Sequence, residues 1–583
     1  MITQMKKYTF LVFHREYDAF LEQLREMGVV HITEKAAGMA DDTQLQELLA
    51  RAEQTRKLIA QGAPDQLLAE KANIEQRIAT THKEAARMEV WGEFSTKEIE
   101  KLAQAGYTLR YFTCPKKNFE AEWGFVVAEQ GATLYCVQVI GANDTDITLP
   151  DCCQEQTLSE KSTADLMKDI DGLNGLLVAQ NARIESWAIA NIPALEEELV
   201  QINQQIDWQR VTLNTDTIAE GSLKLLEGFC PIDNVPALQE MLQKQEVYYQ
   251  EEDPTDEDAT PIKLRNNRFA KLFEVFTGMY GWPTYGEFDP TSILAPFYLL
   301  FFAMCMGDAG YGLVLIIFGL LTHYQKVNIE MFKGLGPIIT TLGVGTTIVG
   351  FFLGTFFGMS LLEATWYPES LKQLIVSGSV MGFDAQMVLA IGIGVFHICL
   401  AMVVKALCYT KRFGFAETLS VWGWVLLIVG GLIVVSAAAL LNLPAQVTKW
   451  AIISIAVVSA LAIYIFNTPG RNPLINIGAG LWDTYNMATG ILGDVLSYVR
   501  LYALGLAGGM LGGAFNSIAL MLLGEHPTWH WLPFLLILLF GHVLNILMSA
   551  LGAFVHPLRL TFVEYFKNAG YEGKGTLYKP FKK

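Results

Sequence analysis

Apolar residues are arranged differently in the two parts of the chain. After residue 290 they form continuous runs, each long enough for helices that cross the ~30 Å hydrocarbon core of a membrane. The first run, 292–323, is interrupted by the glycine-rich segment 306–312, so we divide it into two shorter helices. The pattern predicts eight membrane helices, near residues 292–306, 309–323, 335–361, 386–408, 419–441, 447–466, 484–523 and 531–565.

Before residue 290 the apolar positions indicate two small α+β lobes. Residues 6–13 alternate like a strand, residues 15–28 follow a helical spacing, and residues 29–34 are again strand-like. Strand-like alternation returns over residues 107–140. The predicted lobes are residues 1–40 and 100–150.

Two long helical stretches flank the second lobe. Residues 42–95 are rich in Ala, Gln, Glu, Lys and Leu with apolar residues at roughly helical spacing, and residues 157–213 repeat the pattern. At ~1.5 Å per residue, ~50 residues extend on the order of 75 Å. We predict that the two helices form an antiparallel coiled-coil arm, which returns through residues 220–250 to the acidic linker 251–261.

The net charge separates the same two parts. The chain has 583 residues, is 52% hydrophobic and carries a formal charge of −17. Residues from 289 onward hold 15 Lys and Arg against 12 Asp and Glu, which leaves 27 against 47, or −20, for the residues before them. The sequence therefore predicts an acidic soluble domain over residues 1–265 and an all-α membrane domain over residues 266–583.

The soluble part has the features of a cytosolic domain. Its first residues lack the long apolar core of a signal peptide. Its five cysteines show no CxxC or Cys/His ligand spacing, and two adjacent cysteines cannot easily form an ordinary bridge. We expect free thiols in a reducing compartment. The five are Cys114, Cys136, Cys152, Cys153 and Cys230.

Basic residues are concentrated in alternate loops of the membrane part. The basic segments are 324–334, 409–418, 467–483 and the tail 567–583, and the acidic ones are 362–385 and 524–530. The basic set should be cytoplasmic. Eight crossings place the soluble part and the tail on that side, whereas seven would leave the soluble part outside. We expect an integral protein of a bacterial plasma (inner) membrane with both ends in the cytoplasm.

Arg500 lies in an otherwise apolar predicted helix. A guanidinium at membrane depth is costly, so it is a functional-site candidate by default. It keeps its proton and can act only as a fixed positive charge. Most residues on its face are small, which lets another helix approach; alternatively, Arg500 snorkels toward the cytosolic end, where Asp494 lies. This face comprises Gly493, Ser497, Ala503, Ala507 and Leu511.

The last predicted helix has one continuous polar face. Its members fall at steps of three or four over ~26 Å, close to the hydrocarbon thickness. Such a face is tolerated where it lines water or meets other polar helices; the alternative is scattered hydrogen bonding between helices. The stripe comprises His542, Asn545, Ser549, Gly552, His556 and Arg559.

Three ionisable residues near these helices have more than one interpretation. His556 is a candidate proton relay or a hydrogen-bonded structural residue. Glu564, near the cytosolic end of the last helix, is a candidate for the ion path or a solvated, Lys-paired carboxylate. Asp308 stands in the break of the first run, where Asp commonly caps the helix that follows.

The chain lacks the motifs of an independent enzyme. The segment Gly573-Lys574-Gly575-Thr576 lacks the first glycine of a phosphate-binding loop and follows no strand, so we assign it to a flexible basic tail. No metal cluster, nucleophile elbow or dinucleotide fingerprint is present in the sequence. We therefore predict no cofactor, no metal, no covalent chemistry and no nucleic-acid partner.

Several segments together resemble a known family. The most specific are SYVRLYALGLA (497–507) and HPLRLTFVEYFKNAGYEGKGTLYKPF (556–581). Further segments are FFAMCMGDAGYG (301–312), FEVFTGMYGWPTYGEFDPT (273–291) and the weaker EGFCP (227–231). Over nearly its whole length the chain resembles the large membrane subunit of rotary V/A-type ATPases, called subunit I in bacteria and subunit a in eukaryotes.

The resemblance implies roles for two arginines. Arg500 would be the stator arginine that faces the lipid-buried carboxylates of a rotating ring of proteolipid c subunits, and Arg559 the second arginine of that interface. A ring carboxylate must be protonated or filled with Na⁺ to face lipid, whereas opposite a fixed cation it is favoured as the anion. Ions would therefore use two offset half-channels, and the polar stripe is our candidate wall for the outer one.

The resemblance also implies the remaining partners and two departures. The soluble part would bind peripheral-stalk subunits and resist the rotor's torque, and ATP chemistry would belong to other subunits. Eukaryotic members have a histidine where Gly508 stands here and a glutamate where Ser549 stands, so the outer half-channel must use other groups. The sequence leaves open whether H⁺ or Na⁺ moves and whether the complex mainly pumps or synthesises ATP.

Two rival functions make different predictions. A secondary transporter with a fused cytosolic domain predicts paired internal repeats with broken helices in both halves, whereas the sequence shows only the break at 306–312. A membrane-tethered scaffold predicts that replacing Arg500 leaves function intact.

Overall fold

The computed structural model describes most of the chain. The described residues are 2–33, 42–92, 96–120, 122–141, 150, 152–159, 161–218, 222–245, 247–255, 258–324, 334–365, 367–380, 382–467, 473–523 and 531–582. The acidic loop 524–530 and most of the basic loop 324–334 lie outside them. The chain divides into an inserted unit, Glu34–Thr215, and a main unit, Met1–Thr33 with Asp216–Lys583.

The described residues are mostly helical, with sheet in the N-terminal part. The strands are β1 Met5–Phe13, β2 His31–Ile32, β3 Tyr107–Pro115, β4 Phe125–Gln130, β5 Thr133–Gly141, β6 Gln154–Glu155, β7 Asp216–Ile218, β8 Leu223–Pro231, β9 Tyr248–Glu252, β10 Thr355–Phe356, β11 Met359–Ser360, β12 Ser379–Val380 and β13 Phe383–Asp384. The helices are α1 Tyr17–Met27, α2 Thr43–Gln61, α3 Asp65–Glu89, α4 Thr96–Gln104, α5 Thr163–Leu213, α6 Val235–Lys244, α7 Arg268–Leu272, α8 Glu274–Tyr280, α9 Thr291–Met306, α10 Ala309–His323, α11 Gly336–Leu353, α12 Glu369–Lys372, α13 Ala385–Phe413, α14 Leu419–Val425, α15 Gly431–Leu441, α16 Ala445–Tyr464, α17 Pro473–Ser497, α18 Val499–Leu523, α19 Trp531–Arg559 and α20 Phe566–Ala569.

The N-terminal lobe of the main unit is an antiparallel sheet covered by α1. Its strand order is β2-β8-β1-β9, and β7 pairs with β8. The alternating residues of β1 bury Tyr8 and Phe10, and α1 buries Phe20 and Leu24. The predicted strand 6–13 and the helix after it are therefore confirmed.

An ion pair holds the acidic linker to this sheet. Lys7 Nζ donates to Asp258 Oδ1 at 2.7 Å, and both side chains are mostly buried. This hydrogen bond, with a smaller contribution from Thr255, lowers the pKa of Asp258 to about 2. Because the folded pKa lies below the unfolded one, the stabilisation is present at neutral pH and is lost as the pH falls toward 2.

In the inserted unit, α2 and α3 run antiparallel to α5. Ala52 of α2 lies in one buried cluster with Ile202, whereas Met88 of α3 lies in another with Leu166. Early residues of the first stretch thus meet late residues of α5. Each helix buries a narrow stripe and exposes the rest, as its high content of charged residues requires.

The prediction of one continuous helix over 42–95 is wrong. Gly62 ends α2 with a φ of +68°, a conformation that costs glycine little, and Pro64 immediately precedes α3. A separate helix, α4, begins at Thr96. Each described helix of this first stretch is therefore shorter than the ~50 residues from which a ~75 Å reach was predicted, whereas α5 is 51 residues long.

Apolar helices dominate the rest of the main unit. Six are long and apolar enough to cross a membrane among the described residues, and two adjacent ones are shorter. The six are Gly336–Leu353, Ala385–Phe413, Leu419–Leu441, Ala445–Tyr464, Leu474–Leu523 and Trp531–Ala569, and the shorter two are Thr291–Met306 and Ala309–His323. The predicted division of the first apolar run into two helices is confirmed.

Three predicted membrane helices have different bounds in the structure. The stretch 335–361 ends as a helix at Leu353, because Gly354 turns the chain into the β10–β11 hairpin. The helix predicted over 484–523 begins earlier, at Pro473 within the predicted loop 467–483, and is two helices, α17 and α18, which meet at Tyr498. The last helix, α19, ends at Arg559 and continues as the π-helical turn Leu560–Tyr565.

The tail after the last helix is ordered, so the expectation of a flexible tail is wrong for its described residues. Tyr578 donates its hydroxyl hydrogen to Val29 O at 2.6 Å and its N–H to Ile262 O at 2.8 Å. Phe581 N donates to Val30 O at 2.8 Å. Among the lysines, Phe581 is buried and Tyr578 half-buried against the N-terminal lobe, which the charge pattern did not reveal.

Candidate functional site

A buried carboxylate joins the two short apolar helices to the following hairpin. Asp308 is 1% exposed and caps α10 by accepting hydrogen bonds from Gly310 N and Tyr311 N. It also accepts from Phe357 N at 2.8 Å and Gly358 N at 2.7 Å. The expected capping role is therefore present, and the same carboxylate fixes the loop between β10 and β11.

Replacing Asp308 by asparagine should destabilise this junction. The new amide nitrogen would meet an N–H donor whichever way the side chain is turned, since both carboxylate oxygens accept from the backbone. We expect the unfolding free energy to fall by roughly 2–4 kcal/mol, measured by thermal unfolding in detergent. Asp384 is the matched control, because it caps α13 through Gln386 N alone and is exposed. Equal losses for Asp308→Asn and Asp384→Asn would contradict the assignment.

The N-terminal half of the predicted polar stripe belongs to a directed hydrogen-bond network. Asn545 Nδ2 donates to Tyr311 Oη at 2.8 Å, and Tyr311 Oη lies 2.8 Å from His542 Nδ1. His542 Nε2 lies 3.0 Å from Asn516 Oδ1, whose amide nitrogen donates to Phe357 O. Because an amide oxygen only accepts, His542 carries its proton on Nε2 and accepts from Tyr311.

Gly508 and Ser549 lie beside each other at this network. Asn545 Nδ2 also donates to Gly508 O at 2.8 Å, and Ser549 Oγ donates to Asn545 Oδ1 at 3.2 Å. A Cβ atom added at Gly508 would lie 3.0 Å from Ser549 Oγ. Small residues at both positions thus allow α18 and α19 to pack closely, so a histidine at 508 would require a change at 549.

A second group of polar residues lies on the other side of Arg500 along the helices. Glu564 is 2% exposed and lies next to the Ser497 hydroxyl. Asp494 is also buried and accepts from Asn568 Nδ2 at 2.8 Å, with Lys567 Nζ at 3.5 Å. These residues come from α17 and from the segment after α19, so the fold unites groups about 70 positions apart in sequence.

Both predicted arginines interact electrostatically with members of this second group. Arg500 and Arg559 lie close enough to His556 and Glu564 to interact with them electrostatically. Arg559 is exposed and Arg500 half-buried. Within the described part of the chain, Arg500 Nη1, His556 Nδ1 and Glu564 Oε2 are buried and have no hydrogen-bond partner.

The side of α18 that carries the small residues is not covered by the described chain. Ala503, Ala507 and Leu511 are exposed, whereas Leu501 and Gly508 are buried against neighbouring helices. The predicted small-residue face is therefore accessible to lipid or to another subunit.

A socket on α13 fixes the junction immediately before Arg500. The Tyr498 ring is fully buried, and its hydroxyl lies 2.8 Å from His397 Nδ1. A Cβ atom at Gly394 would lie 2.4 Å from Tyr498 Cγ, so only glycine leaves room for the ring. The Tyr498 and Leu501 N–H groups bond three residues back, which makes the tight turn between α17 and α18.

A cavity of about 440 Å³ opens beside α18, away from the second polar group. Its wall is formed by α18, the β10–β11 region and the start of α13. Its polar side chains include Ser360, Asp384, Gln386 and Tyr502, and Tyr502 lies next to Asp384. Sequence patterns gave no sign of this cavity, because its walls are brought together only by the fold.

Four residues that matter to these contacts were not singled out in the sequence. His397 and Asn516 lie in apolar runs, whereas Tyr311 lies in the glycine-rich break and Tyr498 in the segment 497–507. The signal available for Tyr498 was its place two residues before Arg500. The described membrane helices contain no cluster of three metal-ligating side chains.

Comparison with known sequences gives consistent matches. A profile of the V-type ATPase 116kDa subunit family matches residues 31–360. The V-type ATP synthase subunit I 1 of Treponema pallidum is 28% identical over 647 aligned positions that cover 100% of both chains. The A-type ATP synthase subunit I of Methanocaldococcus jannaschii is 34% identical over 350 positions, 56% of this chain and 49% of that one. The V-type ATP synthase subunit I of Chlamydia trachomatis is 24% identical over 100% of this chain and 99% of its own.

Proposed function

Because the chain belongs to the V-type ATPase 116 kDa subunit family and is an integral membrane subunit of such a complex, we propose that it is the stator that guides ions past a rotating proteolipid ring. It carries H⁺ or Na⁺ between two half-channels and couples their movement to ring rotation. ATP hydrolysis or synthesis takes place on other subunits.

The observation that carries this proposal is the state of Arg500. Its Nη1 is buried without an acceptor anywhere in the described residues, while the helix face beside it is open. A desolvated guanidinium is stabilised by an anion, and Glu564 interacts with Arg500 electrostatically but does not accept a hydrogen bond from Nη1. An ionised carboxylate on a ring that passes along the open face would supply that anion once per subunit.

Two groups of residues support separate paths on the two sides of Arg500. The inner path runs along Asp494, Ser497, Glu564 and His556 toward the side on which Lys567 lies. The outer path follows the cavity beside α18. We move the outer path there from the predicted stripe, because His542, Asn545 and Ser549 have hydrogen-bond partners within the protein.

Contacts of the tail support an even number of crossings. The tail residues bind the N-terminal lobe, so both lie on one side of the membrane. Eight crossings, with α9 and α10 as a pair, satisfy this condition. The positive-inside rule makes that side the cytoplasm of a bacterium with this subunit in its inner membrane.

The inserted unit is the proposed attachment to the peripheral stalk. The antiparallel packing of α2 and α3 against α5 supports a coiled-coil arm with a small sheet domain between its helices. Such an arm presents much polar surface to stalk subunits. The remaining partners of the chain are the proteolipid ring and membrane lipid.

Cross-linking tests the proposed ring-facing surface. We expect Ala507→Cys to form a disulfide with a cysteine placed beside the carboxylate of the proteolipid, in the assembled complex under mild oxidation. Leu440→Cys is the matched control, because Leu440 is 82% exposed on α15, far along the chain from the arginine helix. Equal cross-linking at both positions, or none at Ala507, would show that the ring does not pass this face.

A further inference from the structure

Three cysteines of the inserted unit meet at one end of its four-stranded sheet. The sulfur atoms of Cys114, Cys152 and Cys153 all lie within 4.8 Å of one another. Cys114 is fully buried at the end of β3, and the other two are half-buried. The expectation of free thiols is confirmed. The cluster itself was not predicted, because no pair of these cysteines has the CxxC spacing on which a metal-site prediction from sequence depends.

Strand register explains how the three meet. The short strand β6 pairs antiparallel with β3, with Gln154 opposite Thr113. The next pair in that register is Cys153 opposite Cys114, at the cross-strand spacing where side chains interact. Cys152 precedes it in a turn that Cys153 N closes by donating to Pro150 O at 2.9 Å. The backbone therefore fixes the sulfurs rather than leaving them on a loose loop.

The surroundings of the cluster are apolar and contain one further thiol. Phe119 and Trp123 pack against it, and Cys136 lies in the same buried cluster on β5.

We propose that Cys114, Cys152 and Cys153 form a binding site for one thiophilic cation, Zn²⁺. Three thiolates at ~2.3 Å from a tetrahedral zinc ion lie ~3.8 Å apart, so the sulfurs need to move by less than ~1 Å. Zn²⁺ displaces one proton from each thiol and leaves a net charge of −1. Cu⁺ would leave −2, which is more costly beside Phe119 and Trp123.

Metal titration of the purified full-length chain tests the site. The protein is stripped with a chelator under reducing conditions, then titrated with Zn²⁺ against a chromophoric competitor, and with Co²⁺ to detect thiolate charge-transfer bands. We expect one equivalent bound and those bands present. Each of Cys114→Ser, Cys152→Ser and Cys153→Ser should weaken binding at least ~10–100-fold, the loss typical even of outer-shell changes. A parallel titration with Cu⁺ and a Cu⁺-specific competitor should give the weaker site.

Control variants keep the result interpretable. Cys408→Ser should bind as the unchanged chain does, because Cys408 is half-buried in α13 and belongs to another part of the fold. Circular dichroism should show the same helix content in every variant. Absence of a stoichiometric site in the unchanged chain, or equal binding by the three variants and the control, would overturn the proposal. So would preferential binding of Cu⁺, or a disulfide joining Cys114 to Cys152 or Cys153 in protein isolated without reductant.

Discussion

Replacing Arg500 by alanine should abolish ATP-driven ion uptake into membrane vesicles while the complex still assembles. Without the fixed cation, release of the ion from a ring carboxylate at this position is unfavourable, because the anion would be left in an apolar environment. At an effective dielectric of ~20, a charge ~4 Å away contributes about 4 kcal/mol, or roughly a thousandfold in the ionisation equilibrium. Uptake should therefore fall to the level of unenergised vesicles.

The controls for this variant separate charge from general damage. Lys449→Ala removes an exposed basic residue from α16 and should leave uptake unchanged. Arg500→Lys keeps the charge without the planar guanidinium and should retain part of the activity. Normal uptake by Arg500→Ala would support the scaffold function instead, and uptake that persists without ATP or the ring would support a secondary transporter.

Replacing Gly394 by alanine should impair coupling although the residue faces neither proposed ion path. The added Cβ would lie 2.4 Å from Tyr498 Cγ, and the ring cannot easily withdraw because its hydroxyl is held by His397. Overpacking of this kind costs ~1–3 kcal/mol. A displacement of ~1 Å at a reacting group can cost ~10²-fold in rate, and Arg500 follows Tyr498 by two residues. We expect uptake to fall at least tenfold in assembled complexes.

Gly392→Ala provides the comparison on the same helix. A Cβ atom there would meet nothing within 4 Å, so both variants have the same change in helix propensity but only one has a clash. Uptake by Gly392→Ala should match that of the unchanged chain. If the two alanine variants transport ions equally, the Tyr498 socket does not position Arg500.

The patterns that predicted the fold correctly were local ones. The alternation over residues 6–13, the apolar runs and the break at Asp308 each reflect a preference that a few neighbouring residues determine. The break at Gly62 was also visible as a glycine two residues before a proline, but the helix-favouring composition on both sides outweighed that signal. The helix break at Tyr498 involves no glycine or proline. The Tyr498 ring packs into a socket on α13, and no local sequence pattern encodes such a contact.

The residues of the candidate site could likewise be predicted only where the signal was local. The sequence identified Arg500 because a charged side chain in an apolar membrane segment is energetically costly. It identified the polar stripe on the last helix because its residues recur at helical spacing. Their partners were not evident, because Tyr311 and Asn516 satisfy that stripe from helices distant in sequence. The cysteine cluster depends on a two-residue strand, β6, whose register no composition reveals. In each case the missing information was a contact between segments far apart in the chain.

The ordered tail has a consequence for the order in which this protein is completed. β1 can pair with β8 and β9 as soon as residue 252 has left the ribosome. The contacts of Tyr578 and Phe581 with the same lobe cannot form until every membrane helix has been synthesised. A chain interrupted within the membrane part therefore keeps an unfinished lobe surface at Val29 and Val30.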